Sequence, residues 1–180
     1  INKNTPNGPN RGSVEMGYNL KPEFTNTYEV GLGGRNNDFS YDVALFLNKI
    51  DDRISERKIN GVNTFVNIDK AETKGLELNL SYDILSNLST NFNYTLLDTE
   101  DKTTKKDLDF NPNIVVTFSL SYQPIKDINI TPSIRYIGKQ HYTEVVGANT
   151  TYKKTDDQTL VDLSMDYSIN KNFNIYGGVN

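Results

Sequence analysis

The sequence predicts an all-β fold, an antiparallel up-and-down segment of a transmembrane β-barrel. Apolar and polar residues alternate with a period of two along almost every ordered-looking segment, which is typical of strands with one apolar and one polar face. The connections alternate between short turns and long polar stretches. The apolar alternations run for about nine to eleven residues, enough to cross a bilayer with tilt, whereas globular strands average about five or six.

Each strand follows from this alternation, and no segment indicates an amphipathic helix. In one clear case, apolar Ile130 and Ile134 alternate with polar Thr131 and Arg135. The pattern predicts about eight strands, at Tyr28–Leu32, Phe39–Lys49, Leu76–Tyr82, Leu88–Leu96, Asn113–Tyr122, Ile128–Gly138, Val161–Tyr167 and Phe173–Val179. Their polar faces carry mostly Asn, Ser, Thr and Gly, as expected of a hydrated lumen wall.

The predicted connections fall into two classes. Short turns rich in Gly, Asn, Asp and Pro are predicted at Gly34–Asp38, Ile84–Asn87, Gln123–Asp127 and Ile169–Asn172. Long polar loops are predicted at Ile54–Asn63, Thr99–Asn111 and Thr143–Gln158. Outer-membrane barrels place short turns at one end and long loops at the other, whereas the Greek-key connections of a soluble sandwich break this order.

Tyrosines recur near the ends of the predicted strands. Tyr82, Tyr122 and Tyr167 each take the last apolar-face position before a short turn. We expect them to form an aromatic girdle at a membrane interface, although Tyr is also simply a good strand former. Pro132 lies on the apolar face without a ladder donor, so we expect it at a bulge or near an interface.

The composition excludes several classes of protein. The 180 residues are 36% hydrophobic with a mean hydropathy of −0.59, and no run approaches the roughly 18 apolar residues of a membrane helix. Cys is absent, which excludes disulfides, zinc–thiolate sites and cysteine nucleophiles. A net charge of −4 gives no support for nucleic-acid binding. No catalytic or nucleotide-binding motif occurs, so we expect no enzyme activity.

Five segments, in order, resemble the C-terminal barrel region of TonB-dependent outer-membrane receptors. The first is Asn19-Leu20-Lys21-Pro22-Glu23, followed by Thr27-Tyr28-Glu29-Val30-Gly31-Leu32. The second runs from Phe65 to Leu78 and contains Asn67, Ala71, Gly75 and Glu77 at the family's spacing. The remaining cues are Asn91–Asp98, Asn111-Pro112-Asn113 and Arg135–Gln140. The resemblance extends from Leu20 to Asn180.

This resemblance implies a segment of a larger barrel of about 22 strands in the bacterial outer membrane. Residues 1–24 would be an extracellular loop segment and residues 25–180 the barrel strands, with the plug domain and the closing strand outside this chain. It further implies import of a ferric siderophore or similar iron chelate as cargo, without a covalently bound cofactor. The implied partners are outer-membrane lipid, lipopolysaccharide and, through the plug, the TonB energising complex. Siderophore, haem, cobalamin and carbohydrate importers share this wall, so the ligand stays open.

The candidate site residues lie in the long loops and on the polar face. Cationic and aromatic loop residues that can contact a ligand are Arg53, Arg57, Lys105, Lys106, His141 and Tyr142. Glu77 and Arg135 are predicted to face the lumen, Glu77 beside a bend at Gly75. No metal site is predicted, and a haem or metal ligand at His141 competes with a solvated loop histidine. Neighbouring loop carboxylates such as Asp101 and Asp107 weaken the positive electrostatic potential of these cations.

Two other functions stay open at this stage. The first is a complete small eight-stranded outer-membrane barrel with a structural or adhesive role, because eight strands suffice for such a barrel. The second is a secreted soluble β-sandwich, which would dissolve without detergent.

Overall fold

The computed structural model describes residues 14–16, 20–59, 62–146 and 149–180. Within these ranges no helix has the length and apolarity that a membrane crossing requires. The strands are β1 Val14–Met16, β2 Phe24–Asn36, β3 Phe39–Ile59, β4 Val62–Leu85, β5 Leu88–Asp101, β6 Ile114–Ile125, β7 Ile128–Ile137, β8 His141–Val146, β9 Asn149–Lys154, β10 Gln158–Asn170 and β11 Phe173–Val179.

Eight of these strands form one antiparallel wall in the order β11-β10-β7-β6-β5-β4-β3-β2. Each strand pairs with the next wall strand along the chain, so the up-and-down prediction is confirmed. β8 and β9 pair only with each other within the described residues, and β1 adds in parallel to β4 at Asn63–Phe65. Because β2 and β11 lie at opposite edges of the sheet, the described residues do not close into an eight-stranded barrel.

The strand register divides the wall into an apolar face and a polar face. Leu45 lies opposite Leu76, which in turn lies opposite Leu96, so that their side chains share the apolar face. Large apolar side chains in interior strands stay open to the surroundings, for example Leu45 at 54% and Phe118 at 40% exposure. The buried apolar side chains of the described residues are Ala71 and Leu108, both at the long-loop end. The wall therefore has no apolar core, as expected when one face borders lipid.

Charge and aromatic residues limit the apolar band on β4. A Lys74–Asp98 ion pair, with 3.0 Å between Nζ and Oδ2, lies on the apolar face toward the long loops. Tyr82 closes the band toward the short turns, opposite Phe39. The eight steps from Lys74 to Tyr82 extend about 27 Å along the strand and, at the tilt of barrel strands, about 20 Å along the membrane normal. This length is comparable with the ~25 Å apolar band of outer-membrane barrels.

The short connections form a regular rim at the opposite end from the long loops. The turns are two residues each, at 37–38, 86–87, 126–127 and 171–172. Backbone hydrogen bonds join these turns to the ends of neighbouring strands: Asp83 N–H in β4 donates to Asp38 O at 2.7 Å, and Gln123 N–H in β6 donates to Asn87 O at 2.8 Å. The four predicted short turns are thus confirmed.

Two of the predicted long loops contain strands. The polar stretch Ile54–Asn63 continues the β3–β4 hairpin as far as Ile59 and Val62, so the prediction of a loop there is wrong. Likewise, Thr143–Gln158 contains most of β8 and all of β9. In both places the strands project beyond the wall and consist mainly of polar residues. They therefore lack the alternation of apolar and polar residues from which the other strands were predicted.

Pro132 and Gly75 show how the wall accommodates two unusual residues. Pro132 lies in the interior of β7 opposite Leu163, and both ladders of β7 keep their register there, so of the two predicted positions the bulge is excluded. Its missing N–H instead falls where the β6–β7 ladder lapses, between the Ser119–Ser133 and Tyr122–Ile130 pairs. Gly75 is covered by Phe46: a Cβ at Gly75 would lie 2.6 Å from Phe46 Cζ and 2.6 Å from the carbonyl oxygen of Leu96.

Candidate functional site

Two of the motifs behind the family resemblance meet at the base of the projecting β3–β4 hairpin. The side-chain amide of Asn67 spans the backbone of Lys21, whose N–H donates to Oδ1 at 2.8 Å and whose carbonyl oxygen accepts from Nδ2 at 3.0 Å. Nδ2 also donates to Asp52 O, and Asp52 has a left-handed backbone with φ of 54°. The Glu23 carboxylate accepts from Ile54 N–H at 3.1 Å. Residues 21–23 are therefore fastened across the hairpin before β2 begins.

The β5–β6 loop, residues 102–113, begins with a tight turn. The buried Asp101, the last residue of β5, caps this turn. Its Oδ1 accepts from the amides of Thr103 and Thr104 at 2.9 and 3.1 Å. Lys105, with φ of 57°, donates its N–H to the Asp101 carbonyl at 2.8 Å. A carboxylate that accepts hydrogen bonds from the next amides along the chain is a common turn motif. The residues of the turn itself therefore determine its conformation.

An ion cluster joins this turn to the neighbouring strands. Lys102 Nζ lies 2.5 Å from Glu100 Oε2 and 3.0 Å from Glu72 Oε1, and Lys105 Nζ lies 3.3 Å from Glu100 Oε1. The hydrogen bonds from Lys102 and then Lys105 lower the pKa of Glu100 below its ordinary value. The bonds to Glu100 and then Glu72 raise the pKa of Lys102. The base of the loop therefore stays charged and paired at neutral pH.

His141 joins the β5–β6 loop to the β8–β9 hairpin. Its Nδ1 lies 2.5 Å from Asp107 Oδ2, and its ring stacks on Tyr152 with centroids 4.6 Å apart and planes 8° apart. The Tyr152 hydroxyl donates to the Asp107 carbonyl at 3.3 Å, and Lys106 Nζ lies 5.0 Å from the Tyr152 ring centroid. Burial, followed by the charge of Asp107, raises the pKa of Tyr152. The His141 side chain is only 18% exposed.

A second row of contacts runs parallel to the first. Asp109 Oδ1 accepts from the Thr143 hydroxyl at 3.1 Å, and the Phe110 N–H donates to His141 O at 2.8 Å. Phe110, with φ of 60°, stacks its ring on Tyr142 at 6.3 Å between centroids. The β5–β6 loop and the β8–β9 hairpin thus form one connected unit, which we call the loop pair.

A cleft of about 440 Å³ separates the loop pair from the β3–β4 hairpin. We call it the loop cleft. The hairpin contributes Arg53, Ser55 and Glu56 to the lining, and the end of β5 and the loop pair contribute the rest. Its lining residues are Arg53, Ser55, Glu56, Asp101, Thr104, Lys106, Asp107, Leu108, Asp109, Thr143, Val145, Thr150 and Tyr152. Pocket volumes of about 300–1,000 Å³ are typical of ligand sites in proteins.

The structure brings some of the predicted loop residues together and separates others. Arg53 and Lys106 line the loop cleft from opposite walls. Tyr142 alternates with Thr143 along β8 and stacks against Phe110 instead of lining the cleft.

The other predicted loop residues take different positions. Lys105 lies at the turn beside Glu100, and His141 lies in the contact between the two loops. Arg57 belongs to β3, but its side chain lies outside the described residues.

Glu77 and Arg135 lie on the polar face of the wall. Glu77 is at the level of Ala44 and Thr95, and Arg135 is at the level of Thr117. Neither makes an ion pair with any described residue. The two side chains belong to β4 and β7, with β5 and β6 between them, so the structure does not bring them together.

Several residues that build the loop cleft were absent from the sequence-based candidates. Asp109, Thr143 and Tyr152 belong to this group, as does Glu56 on the hairpin wall. Tyr152 lies opposite Thr143 in the β8–β9 pair and so comes next to His141. Because no apolar–polar alternation marks these two strands, the sequence carries no signal for this contact. Among the described residues, no group of three or more His, Asp or Glu side chains is arranged to hold a metal ion.

Comparison with known proteins identifies the family. Residues 2–180 match the family described as TonB dependent receptor-like, beta-barrel. The chain belongs to the TonB-dependent receptor β-barrel family. It is 28% identical over 166 residues to the vitamin B12 transporter BtuB of Photobacterium profundum, covering 89% of this chain and 26% of that protein. It is 26% identical over 174 residues to the ferrienterobactin receptor of Escherichia coli, covering 89% of this chain and 23% of that receptor.

Comparison with a solved structure shows that the fold of this chain is similar as well. The ferric enterobactin receptor of Pseudomonas aeruginosa superposes with a TM-score of 0.72 at 20% identity, over 88% of this chain and 25% of that receptor. This TonB-dependent receptor chain thus spans about a quarter of the length of the relatives it matches. It is a wall segment of a bacterial outer-membrane β-barrel.

Proposed function

We propose that this chain is part of an outer-membrane receptor that imports a ferric siderophore or a similar iron chelate. The loop cleft carries the proposal, because it lies beyond the apolar band at the long-loop end of the wall. Residues 1–24 would belong to an extracellular loop and residues 25–180 to the barrel wall with its loops. The wall, the loops and the family membership are all consistent with a transporter that performs no chemical catalysis.

In this proposal each face of the wall has its own role. The apolar face, with Leu45 and Phe118 exposed, borders the lipid of the outer membrane, and the charged loops above it border lipopolysaccharide. The polar face, with Glu77 and Arg135, borders the lumen. A plug domain outside this chain would contact these polar residues and couple the receptor to the TonB energising complex.

Ligand capture falls to the long-loop end. Arg53 and Lys106 line the loop cleft and would contact the ligand directly. Lys105 would act from the turn beside Glu100, and Arg57, a β3 residue, stays a proposed ligand contact. His141 and Tyr142, which contact Asp107 and Phe110, would shape the site from behind.

The test is growth of a strain deleted for the full-length gene on single defined iron sources. The proposal expects loss of growth on one class of ferric chelate, restored by the full-length receptor, and loss of import when a protonophore dissipates the proton gradient. Unchanged growth on every iron source, together with impaired uptake of a ligand that contains no iron, would overturn the iron-chelate assignment and leave the barrel assignment standing.

A further inference from the structure

The loop cleft has walls that are fixed before any ligand arrives. His141 and Tyr152 stack, Asp107 bonds to both, and Thr143 bonds to Asp109, so the loop-pair wall is cross-linked at several points. Side chains that are already immobilised lose little further entropy on binding, which favours affinity. The opposite wall belongs to a paired hairpin, β3–β4, which is anchored at its base by Asn67.

The charge of the lining decides which ligand the cleft suits. The lining cations are Arg53 and Lys106, and the Lys106 ammonium already lies over the Tyr152 ring. Carboxylates are more numerous in the lining: Glu56, Asp101, Asp107 and Asp109. A polyanionic ligand would meet more repulsion than attraction at this surface.

Hydrogen-bonding groups and one aromatic ring complete the lining. Ser55, Thr104 and Thr150 supply hydroxyl groups, and Tyr152, whose ring contacts His141 and Lys106, also lines the cleft. Asp109 uses one carboxylate oxygen for Thr143, and its other oxygen has no hydrogen-bond partner among the described residues. Neutral donors such as hydroxyl and amide N–H groups, and cationic ammonium groups, match these acceptors.

We propose that the loop cleft binds a neutral or cationic part of the imported ligand that is rich in hydroxyl or amide groups, and that it discriminates against polyanionic chelates. This inference rests on the proposed import function and specifies the ligand class. Glu56 and Asp109 are the discriminating residues, and His141 is a positioning residue that fixes the loop-pair wall.

The first experiment compares three ferric complexes with the purified full-length receptor in detergent. The probes are a neutral ferric trihydroxamate, a monocationic ferric trihydroxamate and a trianionic ferric tris-catecholate, each titrated by intrinsic tyrosine fluorescence. The inference expects the neutral or cationic complex to bind at least about tenfold more tightly than the trianion. Tightest binding of the trianion overturns the inference while iron-chelate import stands. Absence of binding by all three, with uptake of an iron-free ligand, overturns the proposed function and the inference together.

A matched pair of variants places the discrimination in the cleft. Glu56→Lys changes the charge of the cleft wall, whereas Asp157→Lys makes the same change on an exposed residue outside the lining. We expect Glu56→Lys to weaken the cationic complex and strengthen the trianion by about threefold to tenfold. Asp157→Lys should change either affinity by less than about twofold. Equal effects of the two variants would show that charge acts through the general field of the loops, and would overturn the cleft assignment.

Discussion

Replacing Gly75 by alanine is a sharp test of how the wall is packed. A Cβ at this position would lie 2.6 Å from the carbonyl oxygen of Leu96 and 2.6 Å from Cζ of Phe46. Restoring an ordinary contact requires the β4 and β5 backbones to separate by roughly 0.8 Å or more at this pair. Overpacking of this kind costs about 1–3 kcal/mol, offset by about 0.4–1 kcal/mol from the reduced freedom of alanine in the unfolded chain. We expect a net loss of about 1–2 kcal/mol.

The assay is urea unfolding of the full-length barrel in detergent, followed by the mobility shift of unheated samples on gels. Gly177→Ala is the matched control, because a Cβ there meets no described atom within 4 Å. A double variant, Gly75→Ala with Phe46→Ala, removes the ring but leaves the Leu96 carbonyl in place. It should remain less stable than Phe46→Ala alone. Unchanged stability of Gly75→Ala, or full rescue in the double variant, would refute the backbone-contact explanation.

Three further predictions concern the loops. His141→Ala should speed hydrogen exchange at the Phe110 amide and throughout the β5–β6 loop, with His141→Gln intermediate; an effect confined to β8 would contradict the connected loop pair. Asn67→Leu should expose residues 21–23 to proteolysis at least about threefold faster, because it removes both bonds to Lys21, and an unchanged cleavage rate would contradict the anchoring role. The folded-state pKa of Glu100 is lowered, so its contribution to loop stability is present above its unfolded pKa and is lost as the pH falls through the folded value. Acid should therefore lower the protection factors of amides in the Lys102 turn, taken as exchange rates relative to the intrinsic rate at each pH, and Glu100→Gln should weaken that dependence; protection factors that do not change with pH would contradict it.

The wall of the barrel was predictable from the sequence because its physical cause is local. Lipid on one side and water on the other impose a period of two on residues such as Ile130, Thr131 and Ile134, and the short turns carry Asn and Asp where tight turns need them. The strand predictions were less accurate where the strands extend beyond the lipid. Beyond the apolar band no lipid boundary imposes an alternation, so the sequence of Ile54–Ile59 carries no amphipathic signal although it is paired along its length.

The loop cleft was less predictable because its residues come from segments that are far apart in the sequence and that only the fold brings together. Arg53 and Lys106 were selected by charge alone, and only the positions of β3 and the β5–β6 loop bring them to the same cleft. His141 gave no sign that its partner would be Asp107, 34 residues earlier in the chain. The contacts that hold the loop pair together join segments that are far apart in the sequence, and no local sequence pattern indicates that these segments meet.

The measurement that tests the account most directly is spin-label accessibility along β6 in the full-length receptor in outer membranes. Single cysteines placed in turn from Ile114 to Tyr122, each carrying a nitroxide, report contact with lipid through oxygen and contact with water through a polar nickel complex. The account predicts oxygen access at Val116, Phe118 and Leu120 and nickel access at Thr117 and Ser119, in strict alternation. Equal access of the nickel complex to both faces would contradict a membrane-embedded wall.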